Sequence, residues 1–539
     1  MTRTNADKQR LIVIGLDGYE DRIAQVMMAE GDLPNMKAVF DASASIDLDH
    51  GRNKLSGLSW EHFAVGQAPE VYGRLSAVDF DPSTYIASQT LTRTPPFLKR
   101  AGSRVVALDV PYFDLASIPD MHGFANWGAH DPGVTPFARP ATLLDEINEK
   151  FGPYKAADDI YGFVWPDAEK AEAAGARLAA ALRQRADITR WMLSERTPDW
   201  DMAITVVSEL HSSIEPLWHG FDQDHPLHNL PSARPAGEGL REVYRELDRM
   251  VGQMQEAFPD AAIALFWMHG MGSNNADVAS MLLLPELLYR HATGETNFEA
   301  PARWQNLNGL MPPLQPGERW EQAVTDEMGH AELRRRPLMS RVRRKLSRYI
   351  PGVFGSAPHP EVFLGWMPGM HYSFAWPDME AFALPSFYDG RIRLNVVGRE
   401  KNGKIAQDEY PAALDRIRDL LLACRDVQTG ECVIDDIYFT SRDDPMAVPD
   451  STGDIEILWA GEPLGFRHPE LGTIGPAPIR RTGGHTGGLG RFYLKANGVL
   501  PGHHGKADAL DVSPTMDAWL GLPPNPELTG ESFLDQLSR

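Results

Sequence analysis

Five stretches of the chain are rich in Val, Ile, Leu, Ala and Phe and run into a turn: LIVIGLD (11–17), SRVVALDVP (103–111), DMAITVVSE (201–209), AAIALFWMH (261–269) and DIEILWAGE (454–462). Apolar runs of this kind mark strands buried on both faces, as in a parallel sheet covered by helices. Between them the pattern turns helical, most clearly in AEKAEAAGARLAAALRQRADITRWMLSER (168–196). The alternation predicts an α/β fold with a mostly parallel central sheet. From 290 to 389 the pattern breaks into a region rich in Pro, Trp and Met, which reads as an inserted cap. RIRLNVVGREKNGKI (391–405) then predicts a hairpin turning at Asn402 and Gly403. With no internal repeat and no low-complexity linker, the expected layout is one composite core of 9–289 and 390–537 carrying the insertion.

Composition narrows the function classes. The chain has 539 residues, 43% of them hydrophobic, enough for a large core. Its start, MTRTNADKQR, is polar, and no later run has membrane-spanning length, so a cytoplasmic protein without a transmembrane segment is expected. Cys424 and Cys432 are the only cysteines, which excludes a disulfide framework and leaves metal binding to His, Asp and Glu. A net charge of -22 argues against nucleic acid as a partner. The segment LRRRPLMSRVRRKLSRYIPGVF (333–354) departs from that mean. Leu338, Val342, Leu346 and Ile350 recur every four residues, so it reads as a short amphipathic helix of the insertion, with a basic side suited to an anionic surface.

Candidate chemistry collects at strand ends, where open α/β sheets bind ligands. Asp17 follows the first strand in a Gly-Leu-Asp-Gly turn. His211 and Glu215 follow the third at a spacing that shares one helix face. His269 ends the fourth, and His485 lies among glycines in RRTGGHTGGLGRFYLKANG. Imidazole with carboxylate and no thiolate suits zinc, manganese or iron(II).

In this order the segments LIVIGLDGYEDRIAQVMMAEGDLPNMKAVFDASA, LSGLSWEHFAVGQAPEVYG, VVSELHSSIEPLWHGFDQDHPL, FWMHGMG and GGHTGGLGRFYLKANGVLPG resemble the alkaline phosphatase superfamily, most closely its type I phosphodiesterase and nucleotide pyrophosphatase branch. The resemblance implies a three-layer α/β/α sandwich. It also implies a metal-dependent hydrolase of phosphate esters, with one or two divalent ions (zinc, or else manganese or iron) and a small anionic phosphoester substrate. Counting ten residues back from Gly66, the family's nucleophile falls on Ser56, with Ser59 as competitor. Asp17 and His269 fall on second-metal positions and His485 on a first-metal position. Three positions depart: His211 stands for an Asp, Glu215 for a His, and Met268 for the Asp before His269. The first set, His211, Glu215 and His485, keeps two imidazoles and a carboxylate. The second, Asp17, Ser56 and His269, lacks a hard anionic ligand that a thioether does not replace. Asn274, Asn275 or Asp277 is a candidate to supply it, and Lys54, two residues before Ser56, is a candidate cation for a bound phosphate. The alternative is a catalytically weak or inactive relative that binds an anionic ligand or a protein partner through the same residues.

Overall fold

Strand β1 (Leu11–Leu16) is buried along its whole length. Its alternate residues face opposite ways: Ile12, Ile14 and Leu16 join one hydrophobic cluster and Leu11 and Val13 another. That is why the run reads as unbroken apolar sequence: the sheet has a core on each side. The computed structural model describes residues 9–90, 95–100, 104–128, 135–160, 167–305, 312, 314, 315, 317–329 and 361–538. The basic segment 333–354 lies outside the described residues.

The chain divides into two compact units, the first formed by residues 1–72, 92–274 and 481–539. Among its described residues nine strands make one sheet. They are β1, β2 (Ala44–Asp49), β3 (Val105–Leu108), β4 (His122–Ala125), β5 (Phe137–Arg139), β6 (Met202–Val207), β7 (Ala262–His269), β8 (Leu489–Lys495) and β9 (Gly502–Asp508), in the spatial order β9-β2-β8-β7-β1-β6-β3-β4-β5. Five pairings are parallel. The three antiparallel ones involve β8 and β5. Helices α1 (Asp21–Glu30), α2 (Pro34–Asp41), α4 (Ala168–Trp191), α5 (Glu209–Leu217) and α6 (Ala233–Ala257) cover one face. Helices α3 (Ser59–Val65) and α7 (Val512–Trp519) cover the other, giving the expected α/β/α layering. Four of the five apolar runs become β1, β3, β6 and β7, and 168–196 becomes α4 with a π-helical last turn, Met192–Arg196.

The second unit comprises 73–91 and 275–480, and residues 290–389 fall within it. The fifth run, expected in the parallel sheet, forms Ile455–Trp459 of a four-stranded antiparallel sheet here. Its burial alternates, the signature of a sheet with unlike faces. The expected 391–405 hairpin is also corrected. Gly390–Leu394 pairs with Ala381–Leu384 and with Ile455–Trp459, not with the residues beyond Gly403. The cause is local: Glu400 accepts from Val396 N at 2.8 Å and from Arg393 Nε at 2.8 Å, which folds 396–405 back as a loop.

Candidate functional site

The site residues of the first unit gather at the carboxyl edge of β1, β6 and β7, three adjacent parallel strands. Asp17 follows β1. Gly18 (φ 73°) comes next, and a Cβ there would stand 2.4 Å from the Cα of His211, so glycine lets the start of α5 close on Asp17. The α5 start is fixed from below: Arg185 of α4 donates to Glu209 at 2.9 Å and to Asp109 at 2.9 Å, all three buried. His211 and Glu215 then fall one turn apart on α5. His485 reaches the same edge because Gly272 and Gly484 pair antiparallel and Gly483 packs against α5, where a Cβ would lie 2.4 Å from Ile214 O.

The result is a continuous chain of contacts. His211 Nδ1 lies 3.3 Å from Asp17 Oδ2, and His211 Nε2 lies 3.3 Å from Glu215 Oε1 and 3.1 Å from His485 Nε2. His485 Nδ1 lies 3.2 Å from His269 Nε2. Arg481 Nη1 donates to Glu215 Oε1. Every one of these side chains is buried.

Burial opposes a charge on His211, but the Asp17 carboxylate, hydrogen bonds to Asp17 and Glu215, and the Glu215 charge outweigh it and push the imidazole up to about 10. His269 goes the other way. Burial takes it down to about 4, helped by the Lys54 charge, so at neutral pH it is a neutral ring.

Lys54 donates from Nζ to Gly487 O at 3.1 Å and makes its charge felt at His269 and His50. Ser56 is buried and bonded within its own turn: its hydroxyl donates to Asn53 O at 2.7 Å and accepts from Leu58 N at 3.0 Å. Met268 is 4% exposed and belongs to the apolar cluster with Trp60, Phe63 and Phe266, on the sheet face covered by α3. Asn275 and Asp277 belong to the second unit, where Asn275 donates to Trp459 O and Asp277 pairs with Arg480 at 3.0 Å.

No motif in the sequence picks out Arg481, although it lies in the stretch that contains His485. The same holds for the buried pair His50 and His62, whose Nε2 and Nδ1 lie 2.9 Å apart. The doubled arginine of RRTGGH inside an apolar segment is the signal that points to Arg481, because a buried arginine demands an acid.

A divalent cation requires donor atoms open toward a common point. Here His211 and His485 each have both ring nitrogens against another side chain, and Arg481 occupies Glu215 Oε1. Among the described residues no group of three or more His, Cys, Asp or Glu side chains is arranged to hold a metal ion. The donor set as folded does not fit the cation that the resemblance implies.

No family model matches the chain, and no curated protein does. Among solved structures the chain is similar to phosphonoacetate hydrolase from Sinorhizobium meliloti 1021, in complexes with phosphonoformate and with phosphonoacetate. Each shows 14% identity and a TM-score of 0.45 over 95% of both chains. It is also similar to an inactive variant of murine ectonucleotide pyrophosphatase/phosphodiesterase 5 in complex with AMP, at 9% identity and a TM-score of 0.48 over 98% of this chain and 99% of that one. Among the described residues no helix is long and apolar enough to cross a membrane. In its mostly parallel, helix-covered sheet and in the order of its site-bearing segments, the chain resembles the alkaline phosphatase superfamily at the level of fold.

Proposed function

We propose that the cluster of Asp17, Lys54, His211, Glu215, His269, Arg481 and His485 binds a small phosphoester anion. The observation that carries this is the charge composition at the strand ends. Two buried carboxylates, Asp17 and Glu215, meet a buried Arg481 and a charged His211, and half-buried Lys54 adds a third cation whose charge reaches His269. With half-buried Lys54 the set holds one more cation than anions, which favours an incoming phosphate oxygen, and charge-assisted N–H donors are the groups that hold one. Titration of the full chain with inorganic phosphate, phosphonoacetate and AMP, followed by calorimetry, tests it. Binding is expected for at least one of the three and is weakened about tenfold or more, a loss of about 1.4 kcal/mol, in Lys54→Met and in His485→Ala. Equal affinity in both variants would sink the proposal.

The second reading is hydrolysis of phosphate esters with Ser56 as nucleophile. It is favoured by one observation, the buried Ser56 hydroxyl two residues from Lys54. Against it, the hydroxyl donates to a backbone carbonyl and not to a base, so nothing at hand takes its proton. Turnover of a phosphomonoester or phosphodiester that disappears in Ser56→Ala would favour this reading over binding alone.

A further inference from the structure

Arg481 is a guanidinium buried to 4% side-chain exposure on a carboxylate buried to 2%. Arginine does not deprotonate in proteins, so its charge is permanent. Its position is not a chance rotamer of a free loop. Thr482, the next residue, donates to the backbone carbonyl of Glu215 twice, from N at 2.7 Å and from Oγ1 at 3.0 Å, so the two chains are locked side by side at this point. Gly483 continues the contact against Ile214 O. The oxygen that Arg481 holds, Glu215 Oε1, is the one that faces His211 Nε2 at 3.3 Å. A metal ion set between His211 Nε2 and Glu215 Oε1 would sit on an oxygen already holding a positive charge, and two cations on one buried oxygen repel strongly at that separation. On the second-metal side, the position before His269 is filled by the Met268 side chain, which is part of the apolar core.

We propose that Arg481 is a cation built into the chain at the place where a divalent ion would otherwise balance Glu215, and that the cluster binds its anion without a metal. This rests on the phosphoester-binding reading, and the experiment separates the two. Affinity for inorganic phosphate is measured on the full chain in chelator and again with zinc, alongside zinc content after equilibration and dialysis, for the wild type, Arg481→Met and Arg481→Lys. In the wild type, phosphate affinity is expected to change by less than about twofold between chelator and zinc, with no zinc retained. Arg481→Met frees Glu215 and is expected to retain about one zinc per chain, held by His211, Glu215 and His485. Its phosphate binding should become zinc-dependent by about tenfold or more. Arg481→Lys keeps the charge and is expected to stay metal-free.

A wild-type protein that retains zinc as well as Arg481→Met does, or that binds phosphate only with zinc present, overturns the inference and leaves the anion-binding reading intact. If no form binds phosphate, that reading falls, and the zinc contents still decide the role of Arg481. Should Arg481→Met fail to fold, the wild-type comparison in chelator and zinc remains decisive by itself.

Discussion

Each unit buries an ionic cluster, and the two are built differently. In the second unit Glu400 Oε1 accepts from Arg393 Nε at 2.8 Å and Arg399 Nε at 2.9 Å, and its Oε2 accepts from Val396 N. Asp454 accepts from Arg399 Nη1 at 2.7 Å, Tyr410 Oη at 2.8 Å and Leu394 N at 2.6 Å. Arginines, acids, backbone amides and one tyrosine hydroxyl account for these contacts, and no imidazole takes part. Such a network keeps one protonation state and one geometry, as a structural clamp must. The cluster of the first unit includes three imidazoles, with His211 between its two acids and His485 linking it to His269, so its protonation changes with pH. Saturation marks the clamp, and histidine content marks the site.

The largest effect should come from breaking the clamp. Asp454→Ala removes one of the two carboxylates that hold Arg399 and orphans the amide of Leu394 in the interior, and truncating one partner of a buried ion pair costs about 3–5 kcal/mol. Urea unfolding should show that loss, while affinity for phosphate at the first unit stays within about twofold of the parent. A loss below about 1 kcal/mol would mean the network is not structural.

Met268→Asp comes next. Its side chain packs with Phe266 and Trp60, so the new carboxylate enters an apolar cluster and not an open ligand position. The expected cost is about 2–4 kcal/mol in urea unfolding, unrelieved by added zinc. Recovery of stability in zinc would show instead that the carboxylate reaches a metal and that the second site survives.

How far the site was legible follows from these same residues. The apolar runs announced β1, β3, β6 and β7, because strands with a core on both faces have no polar alternation to blur them. The spacing of His211 and Glu215 gave their shared helix face. Met268 stands where the resemblance implies a carboxylate, and its packing explains what takes that place: a core side chain on the opposite face of the strand. Arg481 was not legible, because its partner lies 266 positions away in sequence and only the fold brings them together. The 454–462 run looked like the others, since a half-buried antiparallel strand with apolar residues on both faces carries no sign of which sheet it joins.

The pH dependence sharpens the comparison. His269 and His225 are held at about 4 and His219 at about 3, chiefly by burial, against about 6.5 when unfolded. Between pH 4 and 6.5 the unfolded chain binds more protons, so the stability these rings contribute is complete above about pH 6.5 and is lost as the pH falls through that window. His211, raised to about 10, contributes stability that is complete below about pH 6.5 and is lost as the pH rises toward 10. Unfolding of the first unit should therefore be most difficult near neutrality, with limbs of at most about 1.4 kcal/mol per pH unit for each group. His211→Asn should flatten the alkaline limb. An unchanged alkaline limb in that variant would mean His211 is not the charged member of the cluster.

The smallest effect separates two serines three residues apart. The Ser56 hydroxyl bridges Asn53 O and Leu58 N, so Ser56→Ala removes two hydrogen bonds and should cost about 1 kcal/mol in urea unfolding. The Ser59 hydroxyl is buried and makes no hydrogen bond among the described residues, so Ser59→Ala deletes an unsatisfied group and should be neutral or slightly stabilising, within about 0.5 kcal/mol. The order of the two is the measurement, because both changes remove one oxygen from the same turn and the first turn of α3. If Ser59→Ala is the more damaging, its hydroxyl has a partner that decides the local fold, and the assignment of Ser56 as the reactive position loses its geometric basis. If Ser56→Ala costs the expected amount and leaves phosphate affinity unchanged, Ser56 shapes the turn that presents Lys54, and the anion is held by the cations alone.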